Sequence, residues 1–325
     1  MVEQFAVRGW PVVRLGSSSL TFDVLPEFGA AITSLRRTAD GLELLHQTPW
    51  GLPTRGIPQL SATAEVQRYD VDPGGWQSIF PNGGDTVTVE GADQGFDGEA
   101  RISPFDIEEL TDTQIRMSTR LRRSPVEMTK IITIADDTVT VAETVRNVGV
   151  DDRDVMWGST VQFGPPLIGK DAEVECGTAL VHPDATILYD SDYDDVMPWP
   201  RTPGRSSVIN LRYLPEPGSE NRMAYLTDLA ETRATITNRL IDCSVNLDWD
   251  ADPWPYLWYN LEAGGTDGHP WFGTGYFLAL TPSSSWPAHG LHDARRISAS
   301  ALRLPAGGEL TARLSLQVGP AGSNG

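Results

Sequence analysis

The chain of 325 residues carries 44 acidic against 25 basic side chains, a formal net charge of −19 at pH 7. That balance excludes a nucleic-acid partner, which needs clustered Lys and Arg, and an anionic membrane surface for the same reason. With 40% hydrophobic and 21% charged residues it has the composition of a globular protein with a sizeable core.

Length alone allows two domains, but β-sandwiches run well past the ~150-residue norm as one unit. The two cysteines, Cys176 and Cys243, stand in no CxxC or Cys/His cluster, so neither a zinc site nor a disulfide framework is expected. No cofactor is expected either. The opening "MVEQFAVRGWPVV" lacks a basic region followed by an apolar run. No stretch approaches the ~20 apolar residues of a membrane span. The expected location is the cytoplasm.

Taken in chain order, the pattern is β nearly throughout. "SLTFDVLPEFGAAITSLRR" (19–37) predicts two strands around a Pro26–Gly29 turn, followed by a turn at Ala39-Asp40-Gly41. The stretch 73–100, "PGGWQSIFPNGGDTVTVEGADQGFDGEA", is a glycine-rich bend that places Trp76, Asn82, Asp85, Asp97 and Glu99 on loops, where function concentrates. It reads either as hairpin turns with one core tryptophan or as the floor and rim of a site for a hydroxyl-rich molecule. "TQIRMSTRLRR" (113–123) continues the β pattern, and "MTKIITIADDTVTVAETVRNV" (128–148) predicts a hairpin turning at Asp136-Asp137. The acidic run 189–200, with Asp192, Asp194 and Asp195, reads as a solvated loop, since it lacks the glycine and glutamate of an EF-hand. Residues 223–240 and 310–318 add further strands. Helical periodicity is absent, and the 24 prolines and 31 glycines are scattered as punctuation between strands. The prediction is one all-β domain over 1–325, a large twisted antiparallel β-sandwich.

Three stretches together resemble the aldose 1-epimerase (galactose mutarotase-like) family. They are "LPEFGAAITSLRRTADGLELLHQTPWG" (25–51), "GGWQSIFPNGGD" (74–85) and "PWFGTGYFLALTPSSSWPAHGL" (270–291), with "VMWGSTVQFGPPLI" (155–168) fitting between them. The resemblance runs from about residue 20 to 318 in matching order. It implies a supersandwich with a carbohydrate cleft, and acid/base chemistry at the anomeric centre performed by histidines and a glutamate. The matched positions depart from that set. Asp97 stands at the first histidine, Thr160 (after Ser159) at the second, and Thr281, before Pro282, at the glutamate.

Asp97 and Glu262 are the catalytic candidates, because a carboxylate can carry a proton where threonine cannot. A turn role for Asp97 competes. Glu262 lies in "YLWYNLEAGGTDGHPWF" near Trp258, His269 and Trp271, and aromatic faces suit the C–H side of a sugar. Trp258 and Tyr259 must point to opposite faces of a strand, so one of them is core. The substrate-binding candidates are Trp76, Gln77, Asn82, Arg55, Thr160, Trp258, His269 and Thr281. A core place competes for Trp76, and a solvated one for Arg55. Of the five histidines, His289 and His292 form an HxxH that reads as surface chemistry.

The expected partner is a small-molecule carbohydrate or glycoside. The expected function is acid/base proton transfer on a sugar (epimerisation, isomerisation or elimination), with non-catalytic carbohydrate binding as the alternative and a non-sugar substrate third. The oligomeric state is open.

Overall fold

The computed structural model of the chain describes residues 1–56, 69–187 and 191–322. Two antiparallel sheets dominate it. The larger has eleven strands in the order Val2–Val7, Trp10–Gly16, Leu20–Leu25, Ala31–Arg37, Trp76–Ile79, Gly158–Phe163, Phe277–Ser283, Tyr256–Glu262, Arg222–Thr227, Leu180–Pro183 and Met197–Pro198. The other has eight: Ala172–Glu175, Arg233–Asn238, Cys243–Trp249, Glu309–Gly319, Thr138–Asn147, Val126–Ala135, Gln114–Arg120 and Asp106–Leu110. The described helical segments are short, among them Ala100–Ile102, Leu291–Asp293 and Ala294–Ser298. Among the described residues no helix is long and apolar enough to cross a membrane.

Period-two burial explains the sheets. Along Val126–Ala135 the buried positions are Val126, Met128, Lys130, Ile132 and Ile134, and the facing strand buries Val139, Val141, Glu143 and Val145. One apolar face per strand must be covered, and the larger sheet covers it with Leu15, Phe22, Leu35, Trp76, Val161, Leu257, Tyr259, Leu278 and Leu280. The hairpin turns at Asp136-Asp137 as expected, with Thr138 opposite Ala135 and φ +48° at Asp136.

One charged pair interrupts the apolar rows. Lys130 and Glu143 meet at 3.3 Å with almost no exposure. Lys130 Nζ also donates to the carbonyl of Gly29 at 3.1 Å, while Glu143 accepts from Trp157 Nε1 at 3.0 Å and from the Ser78 hydroxyl. The pair therefore ties the smaller sheet to the Pro26–Gly29 turn and to the central strand carrying Ser78.

The middle of the larger sheet is buried on both faces. Every residue of Gly158–Phe163 and of Phe277–Ser283 is buried. One face of these strands packs into the core. The other forms the site.

Candidate functional site

Registers across the central strands set out that second face. Gln77 pairs with Thr160, and Thr281 pairs with Trp258, giving one transverse row on which the Thr281 hydroxyl donates to Thr160 Oγ1 at 2.9 Å. Gln162 pairs with Ala279, which pairs with Asn260, giving a second row, and Phe277 opposite Glu262 begins a third. These rows floor a cleft of about 340 Å³ that also takes in Tyr69, Asp72, Phe96, Asp97, Arg101, His269 and Trp271. Its size lies at the small end of the ~300–1,000 Å³ common for small-molecule sites. A larger hollow of about 510 Å³ beside the 120–126 turn holds none of the residues expected from sequence.

The side chains divide into committed and open groups. Asp97 sits at φ +59° on the glycine-rich bend. Its Oδ1 accepts from the Gly84 amide at 2.9 Å and its Oδ2 from Arg101 Nη1 at 2.7 Å. The bend needs its glycines: a Cβ on Gly98 would lie 2.3 Å from the Phe80 carbonyl oxygen, and one on Gly84 1.7 Å from that of Ala288. Arg101 Nη2 reaches Asp72 Oδ2 at 3.0 Å, and Asp72 Oδ1 in turn accepts from Gln77 Nε2 at 2.9 Å. A buried guanidinium thus spans two buried carboxylates. Glu262 is equally engaged, accepting from Asn221 Nδ2 (2.8 Å), the Thr266 hydroxyl (2.6 Å) and the amides of Gly264 and Thr266.

The open groups are amides and a hydroxyl. The side chains of Gln162 and Asn260 line the cleft and make no side-chain hydrogen bond among the described residues. The Thr160 hydroxyl accepts from Thr281 and keeps its own proton to give. Around them stand the rings of Trp258, Trp271, Phe277 and Phe96. Neutral donors and acceptors between flat apolar faces suit a polyhydroxylated ring, whose hydroxyls and C–H faces alternate.

The structure brings Asp97, Glu262, Thr160, Thr281, Trp258 and His269 to this cleft, with Gln77 supporting Asp72 beneath it. His269 is at the rim, its Nε2 3.0 Å from Asp70 Oδ1. The other three candidates lie elsewhere. Trp76 faces the core, its Nε1 donating to Ser159 Oγ at 2.8 Å, because alternation sends it opposite to Gln77. Asn82 bonds the backbone of Asp85, Gly95 and Leu291 and so joins turns. Arg55 pairs with Glu27 beside the Trp10 ring.

Sequence reasoning passed over Asp72, Arg101, Gln162 and Asn260. It also passed over His46, which stacks on Phe277 at 4.7 Å; burial pushes its imidazole down to about 4, and its Nε2 has no hydrogen-bond partner among the described residues. Tyr189 and Asp190 of the acidic run lie outside the described residues. Among the described residues no three His, Cys, Asp or Glu side chains are grouped to hold a metal ion.

His289 is not surface chemistry. Its Nδ1 meets Asp85 Oδ2 at 3.1 Å and its Nε2 meets the buried Asp184 Oδ2 at 2.9 Å, while Asp184 also accepts from Tyr225. Burial opposes protonation, but the two carboxylates outweigh it and raise His289 to about 10. A raised histidine stabilises the fold fully below its unfolded value of ~6.5, and that contribution is lost as pH rises through about 10. His289→Ala is expected to lower stability by about 2 kcal/mol at pH 7, since hydrogen bonds to charged groups contribute ~1.5–3 kcal/mol. Urea unfolding at pH 7 and pH 10.5 should show the gap to wild type narrowing; a constant gap would contradict a charged imidazole.

The fold is that of the galactose mutarotase-like β-sandwiches. Solved structures sharing it include a galactose mutarotase-like protein from Lactobacillus casei ATCC 334, 17% identical, covering 94% of this chain and 99% of that one with a TM-score of 0.64. A galactose mutarotase related enzyme from Lactobacillus acidophilus is 14% identical over 96% of this chain and 98% of the other, with a TM-score of 0.66. A galactose mutarotase-like protein from Clostridium acetobutylicum is 12% identical over 98% of each chain, with a TM-score of 0.65. No protein-family model matches the sequence, and no curated protein matches it. At these identities the likeness concerns the fold, and function must be argued from the site.

Proposed function

We propose that this protein recognises a neutral carbohydrate in the cleft of its larger sheet. The observation that carries this reading is the pairing of open amide and hydroxyl groups, on Gln162, Asn260 and Thr160, with a surround of aromatic rings. The names of the structures that share the fold point to the same ligand class. Gln162→Ala and Asn260→Ala are each expected to weaken binding of D-glucose or D-galactose about fivefold, the loss of ~1 kcal/mol per neutral hydrogen bond. Calorimetric titration measures it. Absence of binding by the wild type at millimolar sugar would sink the reading.

Catalysis is the second reading, and it has one observation in its favour. Asp97 stands in the cleft wall, and a carboxyl group is a side chain able to carry a proton, although both its oxygens are held, by the Gly84 amide and by Arg101. Against it, both Asp97 and Glu262 already accept several protein hydrogen bonds. NMR of anomer exchange from fresh α-D-glucose and α-D-galactose separates the two. Recognition alone predicts no acceleration; acceleration that disappears in Asp97→Asn would establish a rewired sugar epimerase.

A further inference from the structure

The aromatic wall of the cleft does not stop at its rim. Tyr69, Phe96, His269 and Trp271 line the cavity, and Phe272 follows directly, its ring 6.3 Å from that of His269, which in turn is 6.2 Å from Tyr69. Phe272 is 67% exposed, so its ring gains little from folding. Its backbone is left-handed at φ +47°, a conformation that disfavours any residue with a Cβ.

The loop holds that conformation firmly. The Phe272 amide donates to Gly268 O at 2.7 Å, Gly273 N to Thr266 O at 2.8 Å, and the Thr274 hydroxyl to Trp271 O at 2.6 Å. Thr266 is anchored through its own hydroxyl to Glu262 in the cleft. The ring is thus largely exposed on a left-handed backbone, and both features fall next to His269 and Trp271, which line the cleft. Strain of this kind concentrates at ligand clamps.

We propose that Phe272, set edge-to-face against His269 at the outer end of this wall, is a stacking platform for a second ring, so that the ligand is an oligosaccharide whose terminal unit fills the cleft. This rests on the carbohydrate-binding reading and extends it to a glycosidically linked ligand. Glu262 then acts as a positioning residue, holding through Thr266 the loop that presents the platform.

The test is calorimetric titration of wild type, Phe272→Ala and Phe272→Trp with D-glucose, D-galactose, maltose, cellobiose and lactose, with sedimentation to record the oligomeric state. The wild type should bind at least one disaccharide about tenfold more tightly than the corresponding monosaccharide. Phe272→Ala should abolish that advantage while leaving monosaccharide affinity unchanged, and Phe272→Trp should keep it. Phe272→Gly, which relieves the left-handed strain, should melt no lower than wild type and lose the same advantage, which removes misfolding as an explanation. Monosaccharide binding without a disaccharide advantage would overturn the platform alone, as would an advantage that survives in Phe272→Ala. A switch of oligomeric state with unchanged sugar affinities would make Phe272 a contact between copies of the chain. Failure of every sugar to bind would remove the carbohydrate reading and the platform with it.

Discussion

Arg101→Met is expected to destabilise the protein by about 3–5 kcal/mol, the usual consequence of breaking a buried ion pair from one side. The guanidinium is 2% exposed and bridges Asp72 and Asp97, which are themselves 3% and 7% exposed. Without it two buried carboxylates lose the cation to which both are bonded. Arg101→Lys should recover only part of the loss, because one ammonium cannot present two separated donors as a planar fork does. Urea unfolding gives the magnitude. The diagnostic comparison is the triple variant with Asp72→Asn and Asp97→Asn: if the buried charges are the cause, it should be more stable than Arg101→Met alone. A triple variant less stable than the single one would show that packing of the arginine stem matters more than charge.

Glu143→Gln should have an effect of similar size, about 3–5 kcal/mol, because it leaves the ammonium of Lys130 buried without its counter-ion. Burial already holds Lys130 below the ordinary lysine range against the pull of Glu143, and losing the carboxylate lowers it further. A lysine with a depressed folded value binds fewer protons folded than unfolded, so stability rises with pH up to the unfolded value of ~10.4. The variant's deficit should therefore be largest at neutral pH and shrink towards pH 10. Adding Lys130→Met should return most of the stability at pH 7. A deficit that ignores both pH and the second substitution would assign the loss to the Trp157 and Ser78 hydrogen bonds instead.

The sandwich was legible because alternation is a local signal. The hairpin turning at Asp136-Asp137 shows its inward face residue by residue, interrupted by Lys130, Glu143 and, at the end of the second strand, Asn147. The same rule placed Trp258 and Tyr259 on opposite faces, and the structure puts Trp258 in the cleft and Tyr259 in the core. It did not say which of Trp76 and Gln77 faces the cleft, because a motif names residues and not the side of the sheet they occupy. Gln162 was within reach, two residues beyond Thr160 on one strand, and Asn260 lies midway between Trp258 and Glu262. Arg101 carried a fainter sign, four residues after Asp97 on a single turn of helix. The links from His289 to Asp184 and Asp85 left none, since only the fold brings those segments together.

The cleft also separates two kinds of electrostatic work. The surplus of 19 negative charges keeps the surface well hydrated, while the groups open on the cleft floor are the amides of Gln162 and Asn260 and the Thr160 hydroxyl, which carry no charge. On the carbohydrate reading proposed above, selection in such a place depends on contour and on the placement of hydroxyls.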